Sequence, residues 1–102
     1  ELTSKLAGRE VSAREVMQSC LDQIGRVDGR LHAFLSFNSQ DALSQADAAD
    51  KLIAHEGLTK KRPLLGVPIA VKDLLAVKHQ PLNCGSKILG NFISPYDATV
   101  VE

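Results

Sequence analysis

Lys72 and Asp73 close the apolar run Leu64-Leu65-Gly66-Val67-Pro68-Ile69-Ala70-Val71. In that run Val67, Ile69 and Val71 alternate with Pro68 and Ala70, and a strand's period of two sets Lys72 on the face of Pro68 and Ala70. An ammonium held among apolar neighbours loses hydration and gives up its proton more easily. The neutral amine can take a proton from a serine hydroxyl, which makes it a general base for a serine nucleophile. Spacing alone favours the plainer alternative, a solvated lysine at a strand end. Asp73 is placed to orient Lys72 or a loop amide, or simply to form the turn after the strand.

A second group of reactive types lies in His79 and Cys84-Gly85-Ser86. Cys84 with His79 five residues upstream has the composition of a thiolate and its base, but sequence adjacency supplies no orienting third group. As a metal pair the two lack further ligands. The structural alternative is that Gly85 permits a tight backbone and Ser86 caps the short turn through Lys87-Ile88-Leu89.

These residues need elements to position them. The chain has 102 residues, 44% hydrophobic and 24% charged, with twelve basic residues balancing twelve acidic ones. That balance gives no support to a nucleic-acid or membrane surface. No apolar run reaches the ~18 residues of a membrane span. Cys20 and Cys84 form neither a disulfide framework nor a CxxC pair, and free thiols in a reducing cytoplasm are expected.

Ser12 and Glu15 form an S-x-x-E capping box ahead of Val16, Met17, Cys20, Leu21, Ile24 and Val27, an apolar stripe at helical spacing. Cys20 is expected to be buried within it, and Asp28-Gly29 to break the helix. Before this, Leu2 and Leu6 share a face of a short helix stopped by Gly8. The alternation of Leu31, Ala33, Leu35 and Phe37 predicts a short strand. Asn38 or Ser39 caps a further helix with Ala42, Leu43, Ala46, Ala49 and Ile53 on its apolar face, ending at Gly57. Lys60, Lys61 and Arg62 read as a solvated connector.

A second strand is predicted over Gly66–Asp73. The stretch after it, rich in Pro, Gly and Asn, reads as mostly loop, with room for a short strand near Leu75–Val77. Asp97 is placed to cap a helix that the chain does not complete. Helix, strand, helix, strand and a long loop describe the opening part of an α/β protein. Residues 1–102 are expected to be one segment of a single domain.

Gly66-x-Pro68-x-x-x-Lys72-Asp73, then Cys84-Gly85-Ser86-Lys87-Ile88-Leu89, then Pro95-Tyr96-Asp97-Ala98-Thr99-Val100-Val101 closely resemble the N-terminal part of the amidase signature family. Within it the likeness is greatest to the amidase subunits of the tRNA-dependent amidotransferases. The resemblance implies a mixed central sheet flanked by helices, incomplete here, and a Ser–cis-Ser–Lys triad in which Lys72 is the lysine. Gly66, Pro68, Asp73, Gly85 and Ser86 would be supporting motif residues. The nucleophile and bridging serine belong to a Gly/Ser-rich segment that this chain lacks, and Ser86 takes neither role.

For the parent protein the resemblance implies glutamine hydrolysis, with ammonia passed to a partner that uses ATP and Mg to amidate aminoacyl-tRNA. It implies a heterotrimer with a small third subunit, no cofactor or metal in this subunit, no membrane and a cytoplasmic location. Three positions depart from the usual pattern: Leu74 replaces an asparagine, His79 a glycine and Asn83 a threonine. They leave open a signature amidase acting on small or fatty amides. A non-catalytic α/β interaction module is the alternative from another class.

Overall fold

The computed structural model describes residues 1–58 and 61–102. The expected solvated Lys60 lies outside the described residues. The chain divides into two compact units, Glu1–Ile69 and Ala70–Glu102.

The first unit holds the three helices, α1 Leu2–Ala7, α2 Ala13–Leu31 and α3 Ser39–Glu56. Leu6, Ala13, Ala46 and Ala49 form its buried core, with Val11, Val16, Met17, Leu58, Leu65 and Val67 packed on it. Three of the four core residues are alanines, so the helix backbones approach closely and little side-chain entropy is lost on burial.

The termination of α1 differs from the sequence reading in one respect. Gly8 keeps a right-handed conformation (φ −75°), and the left-handed residue is Arg9 (φ 54°). Glu10 N–H donates to Lys5 O at 2.9 Å and Arg9 N–H to Leu6 O at 3.1 Å, the two bonds of a Schellman turn. Arg9 offsets its strained backbone by donating from Nη2 to Ala54 O of α3 at 2.9 Å.

The capping box of α2 is present. Glu15 N–H donates to Ser12 Oγ, and Ser12 N–H donates to the Glu15 carboxylate at 2.8 Å. The Ser12 backbone N–H, followed by the Ser12 hydroxyl, holds the Glu15 carboxyl below its ordinary value. A depressed carboxylate pKa adds stability that is fully present above the unfolded-state value and lost as pH falls through the folded one. The first turn of α2 should therefore loosen below the ordinary glutamate range. Cα chemical shifts of residues 13–16 followed against pH check this, and Glu15→Gln should remove the dependence.

α3 supplies a second cap that the sequence reading missed. Ala13 N–H donates to Asp50 Oδ1 at 2.7 Å and Arg14 N–H to Asp50 Oδ2 at 3.1 Å. Together with Ser12, Asp50 satisfies the orphan donors at the start of α2 and ties that end to α3. Arg14 also pairs with Asp47 at 2.5 Å across an exposed surface. Removing two charge-assisted bonds at a partly exposed site should cost about 1.5 kcal/mol in an Asp50→Ala variant. The midpoint of chemical unfolding measures it, and Asp50→Asn, which keeps an acceptor, should lose less.

Asp28 and Gly29 do not break α2. The helix runs on to Leu31 and ends at His32 in the left-handed conformation (φ 50°). A helical glycine costs only about 1 kcal/mol relative to alanine, too little to stop a helix. Asp28 secures the end, its carbonyl accepting from His32 N–H and its carboxylate from Ala33 N–H, both at 2.7 Å. Cys20 is exposed rather than buried. It borders a shallow cleft with Val11, Glu15, Val16 and Ser19, to the side of the Ala13–Met17 contact with the core.

Among the described residues there is no strand, so the expected mixed sheet is not seen in them. Residues 32–38 are irregular, with Leu35 and Phe37 exposed and Phe34 edge-on to Phe37 at 5.9 Å. Residues 67–72 are likewise irregular, and Ile69 is 68% exposed. Alternation sets which face a side chain takes, but a strand also needs a neighbour for its backbone groups. The described part of this chain offers these two segments none.

α3 starts as expected, with Asn38 Oδ1 accepting from Asp41 N–H at 3.1 Å. It ends at Gly57 with φ 69° and N–H to Ile53 O at 3.0 Å. Arg62 of the connector pairs loosely with Glu56 at 3.5 Å.

The second unit is built from turns, as its composition predicts. Leu75–Val77 forms no strand. Residues 79–82 and 92–94 run antiparallel through His79 N–H to Ser94 O (2.7 Å), Ser94 N–H to Gln80 O (3.0 Å) and Leu82 N–H to Phe92 O (3.1 Å). Ala76, Leu82 and Ser94 are buried, and Ser94 Oγ donates to Tyr96 O at 2.6 Å. Asp97 accepts from Lys78 N–H at 2.7 Å, and no helix follows it among the described residues. None of the described helices is long and apolar enough to cross a membrane.

Candidate active site

The motif residues fall into both units. Gly66 and Pro68 belong to the first and are half-buried; Lys72, Asp73, Gly85 and Ser86 belong to the second. Gly66 ends the turn that brings the chain back over the helices, at φ +85°. A Cβ there would lie 3.1 Å from Ala13 Cβ and 3.2 Å from Ile53 Cδ1. Its role is therefore close packing against the helical core.

Lys72 opens a tight turn. Its carbonyl accepts from Leu74 N–H at 2.7 Å and Leu75 N–H at 2.9 Å. Its side chain is exposed and makes no hydrogen bond or ion pair among the described residues. The apolar surround expected from alternation is not formed among the described residues, since Ala70, its expected face-mate, is itself exposed. What the turn does provide is a primary amine presented outward from a backbone held by two hydrogen bonds.

Asp73 points back into the unit. Its partly buried carboxylate accepts from Asn83 N–H at 2.7 Å, the loop-amide role, and the residue also lies in the turn after Lys72, the turn-forming one. Asn83 O in turn accepts from Ser86 N–H at 2.8 Å. Cys84 and Gly85 inside that turn both have positive φ, 52° and 68°. Ser86 Oγ accepts from Ile88 N–H at 3.2 Å, as the capping reading expects. The Cys84-Gly85-Ser86 element is thus a turn fixed by its own backbone.

His79, which the resemblance sets at a position where glycine is expected, lies at φ 65°. That is a conformation glycine adopts without cost and that other residues enter reluctantly, histidine less so than most. Among the described residues no group of three or more His, Cys, Asp or Glu is arranged to hold a metal ion. A cleft in the first unit, lined by Leu6, Arg9, Glu15 and Asp50 among others, has its carboxylates already engaged in capping α2.

The signature elements are matched by more than their motifs. The family model described as Amidase matches residues 15–102, which includes Lys72 and everything around it. The chain belongs to the amidase family. This amidase chain is 45% identical over 102 residues to the A subunit of glutamyl-tRNA(Gln) amidotransferase from Desulfotalea psychrophila, covering all of this chain and 20% of that protein. It is 50% identical over 101 residues to the same component from Geobacter sulfurreducens, covering 99% of this chain and again 20% of the relative. Its backbone superposes with a TM-score of 0.86 and 33% identity on a solved structure described as "An unexpected vestigial protein complex reveals the evolutionary origins of an s-triazine catabolic enzyme", covering 98% of this chain and 22% of that one. The chain spans about a fifth of the length of the curated relatives it matches.

Proposed function

We propose that the amidase chain is the N-terminal part of a glutamine-hydrolysing subunit that supplies ammonia for the amidation of Glu-tRNA(Gln) or Asp-tRNA(Asn). What supports this reading is its 45–50% identity, over essentially its whole length, to the A subunits of glutamyl-tRNA(Gln) amidotransferases. In it Lys72 is the base of a Ser–cis-Ser–Lys triad. The neutral amine accepts the proton of the bridging serine, which accepts that of the nucleophilic serine as the latter attacks the amide carbon. Both serines come from a segment this chain does not contain, and the 102-residue chain alone is inactive. The parent works in the cytoplasm with two other subunits. One of them holds the aminoacyl-tRNA and uses ATP and Mg; the amidase subunit itself needs no cofactor.

The test is the full-length protein prepared with and without the two subunits encoded for such a complex. Glutamine hydrolysis coupled to formation of Gln-tRNA or Asn-tRNA is expected. Turnover of simple amides that ignores both partners and tRNA would replace this reading with a free-standing amidase. That second reading is favoured by the 33% identity to a structure described in terms of an s-triazine catabolic enzyme.

A further inference from the structure

The carboxylate of Asp73 reaches across ten positions to the Asn83 amide at 2.7 Å, at a partly buried site. Asp73 lies inside the turn closed on the Lys72 carbonyl, and Asn83 opens the turn closed by Ser86 N–H. One hydrogen bond therefore joins the two motif elements of the second unit, Lys72-Asp73 and Cys84-Gly85-Ser86. The Asn83 side chain extends the tie: oriented to donate, its amide reaches Leu89 O at 2.9 Å and Gly90 O at 3.1 Å. The far side of the joint is thus fixed at both backbone and side chain. Charge-assisted bonds of this kind are shorter and stronger than neutral ones.

Lys72 itself is anchored only through its backbone, and its side chain makes no bond among the described residues. The turn that carries it consequently sets the direction in which its side chain leaves the backbone. From this we infer that Asp73 is a positioning residue: by clasping Asn83 N–H it fixes the Lys72 turn and aims the amine at the serine it deprotonates. The inference rests on Lys72 as the triad base, and it assigns the adjacent acid a role in orientation rather than in proton transfer. A base displaced by a fraction of a hydrogen-bond length loses rate without loss of substrate binding.

The experiment compares Asp73→Ala, Asp73→Asn, Lys72→Ala and the Lys72→Ala/Asp73→Ala double variant in the full-length amidase, reading kcat and KM separately. Asp73→Ala is expected to lower kcat about 30-fold with KM within about twofold, as an interaction lost only in the transition state does. Asp73→Asn keeps an acceptor for Asn83 N–H and should recover to within about fivefold of wild type. In the Lys72→Ala background Asp73→Ala should cost nothing further, because there is no amine left to aim. A normal kcat for Asp73→Ala overturns the positioning role while leaving the base intact. So does an asparagine variant as slow as the alanine one, or a further loss in the double variant. Full activity of Lys72→Ala overturns the base reading itself and the positioning role with it.

Discussion

Lys72→Ala in the full-length amidase is expected to lower kcat for amide hydrolysis by about 10³-fold or more while leaving the thermal midpoint unchanged. The two halves of this expectation have separate causes. The structural half follows from the lysine's surroundings: its side chain is exposed and bonds to nothing among the described residues. The bonds that shape its turn come from its carbonyl, which alanine also has. The catalytic half follows from losing the base on which the proton relay of the proposed triad ends. Lys72→Arg sharpens the test. Arginine keeps the positive charge and the reach but does not deprotonate in proteins, so a base cannot be replaced by it whereas a cationic clamp could. Comparable loss in both variants, from single-turnover kinetics at saturating substrate, supports proton transfer. Substantial activity in Lys72→Arg would show that the site needs charge there and not a base.

What can be read from the sequence is what nearby residues decide among themselves. Ser12 and Glu15 cap each other across three positions, Asn38 caps α3, and Gly57 ends it, because donor and acceptor are fixed together by the local backbone. The strands expected at 31–37 and 66–73 fail for the complementary reason. Their alternation is real, but pairing is non-local, and the described residues supply no partner. Asp50 escapes a sequence reading because its two donors sit 36 and 37 positions away on another helix. Arg9 escapes it because Gly8 is the better left-handed residue in isolation, and only the tertiary bond to Ala54 O explains the exchange. In the candidate site the motif picks out Lys72 and Asp73 through the family pattern. Neither spacing nor periodicity foretells that Asp73 engages Asn83 N–H rather than Lys72.

The motif's first glycine carries the largest expected effect on stability. Gly66 has φ +85°, and a Cβ added there would sit 3.1 Å from Ala13 Cβ and 3.2 Å from Ile53 Cδ1, with Leu6 Cδ1 at 3.6 Å. Leu6, Ala13 and Ile53 are all buried, so none can yield into solvent. Two penalties therefore add in Gly66→Ala: about 1–2 kcal/mol for a left-handed L-residue and about 1–2 kcal/mol for overpacking a closed core. The reduced entropy of the unfolded alanine chain offsets roughly 0.5 kcal/mol, which leaves a loss of about 2.5 kcal/mol. Gly57→Ala is the control for backbone strain without packing, since Gly57 has φ +69° and ψ 179° in the same unit with nothing within 4 Å of its added Cβ. It should lose about 1.5 kcal/mol, the cost of an L-residue in that extended positive-φ region less the unfolded-chain entropy. A larger loss at Gly66 than at Gly57 reports the packing component, and an equal or smaller one would show that Gly66 is kept for its backbone freedom alone. If packing dominates, the G-x-P-x-x-x-K-D element does two distinct jobs. Its glycine seats the chain against α1, α2 and α3 in the first unit, and its lysine and aspartate are the proposed base and its positioning residue in the second.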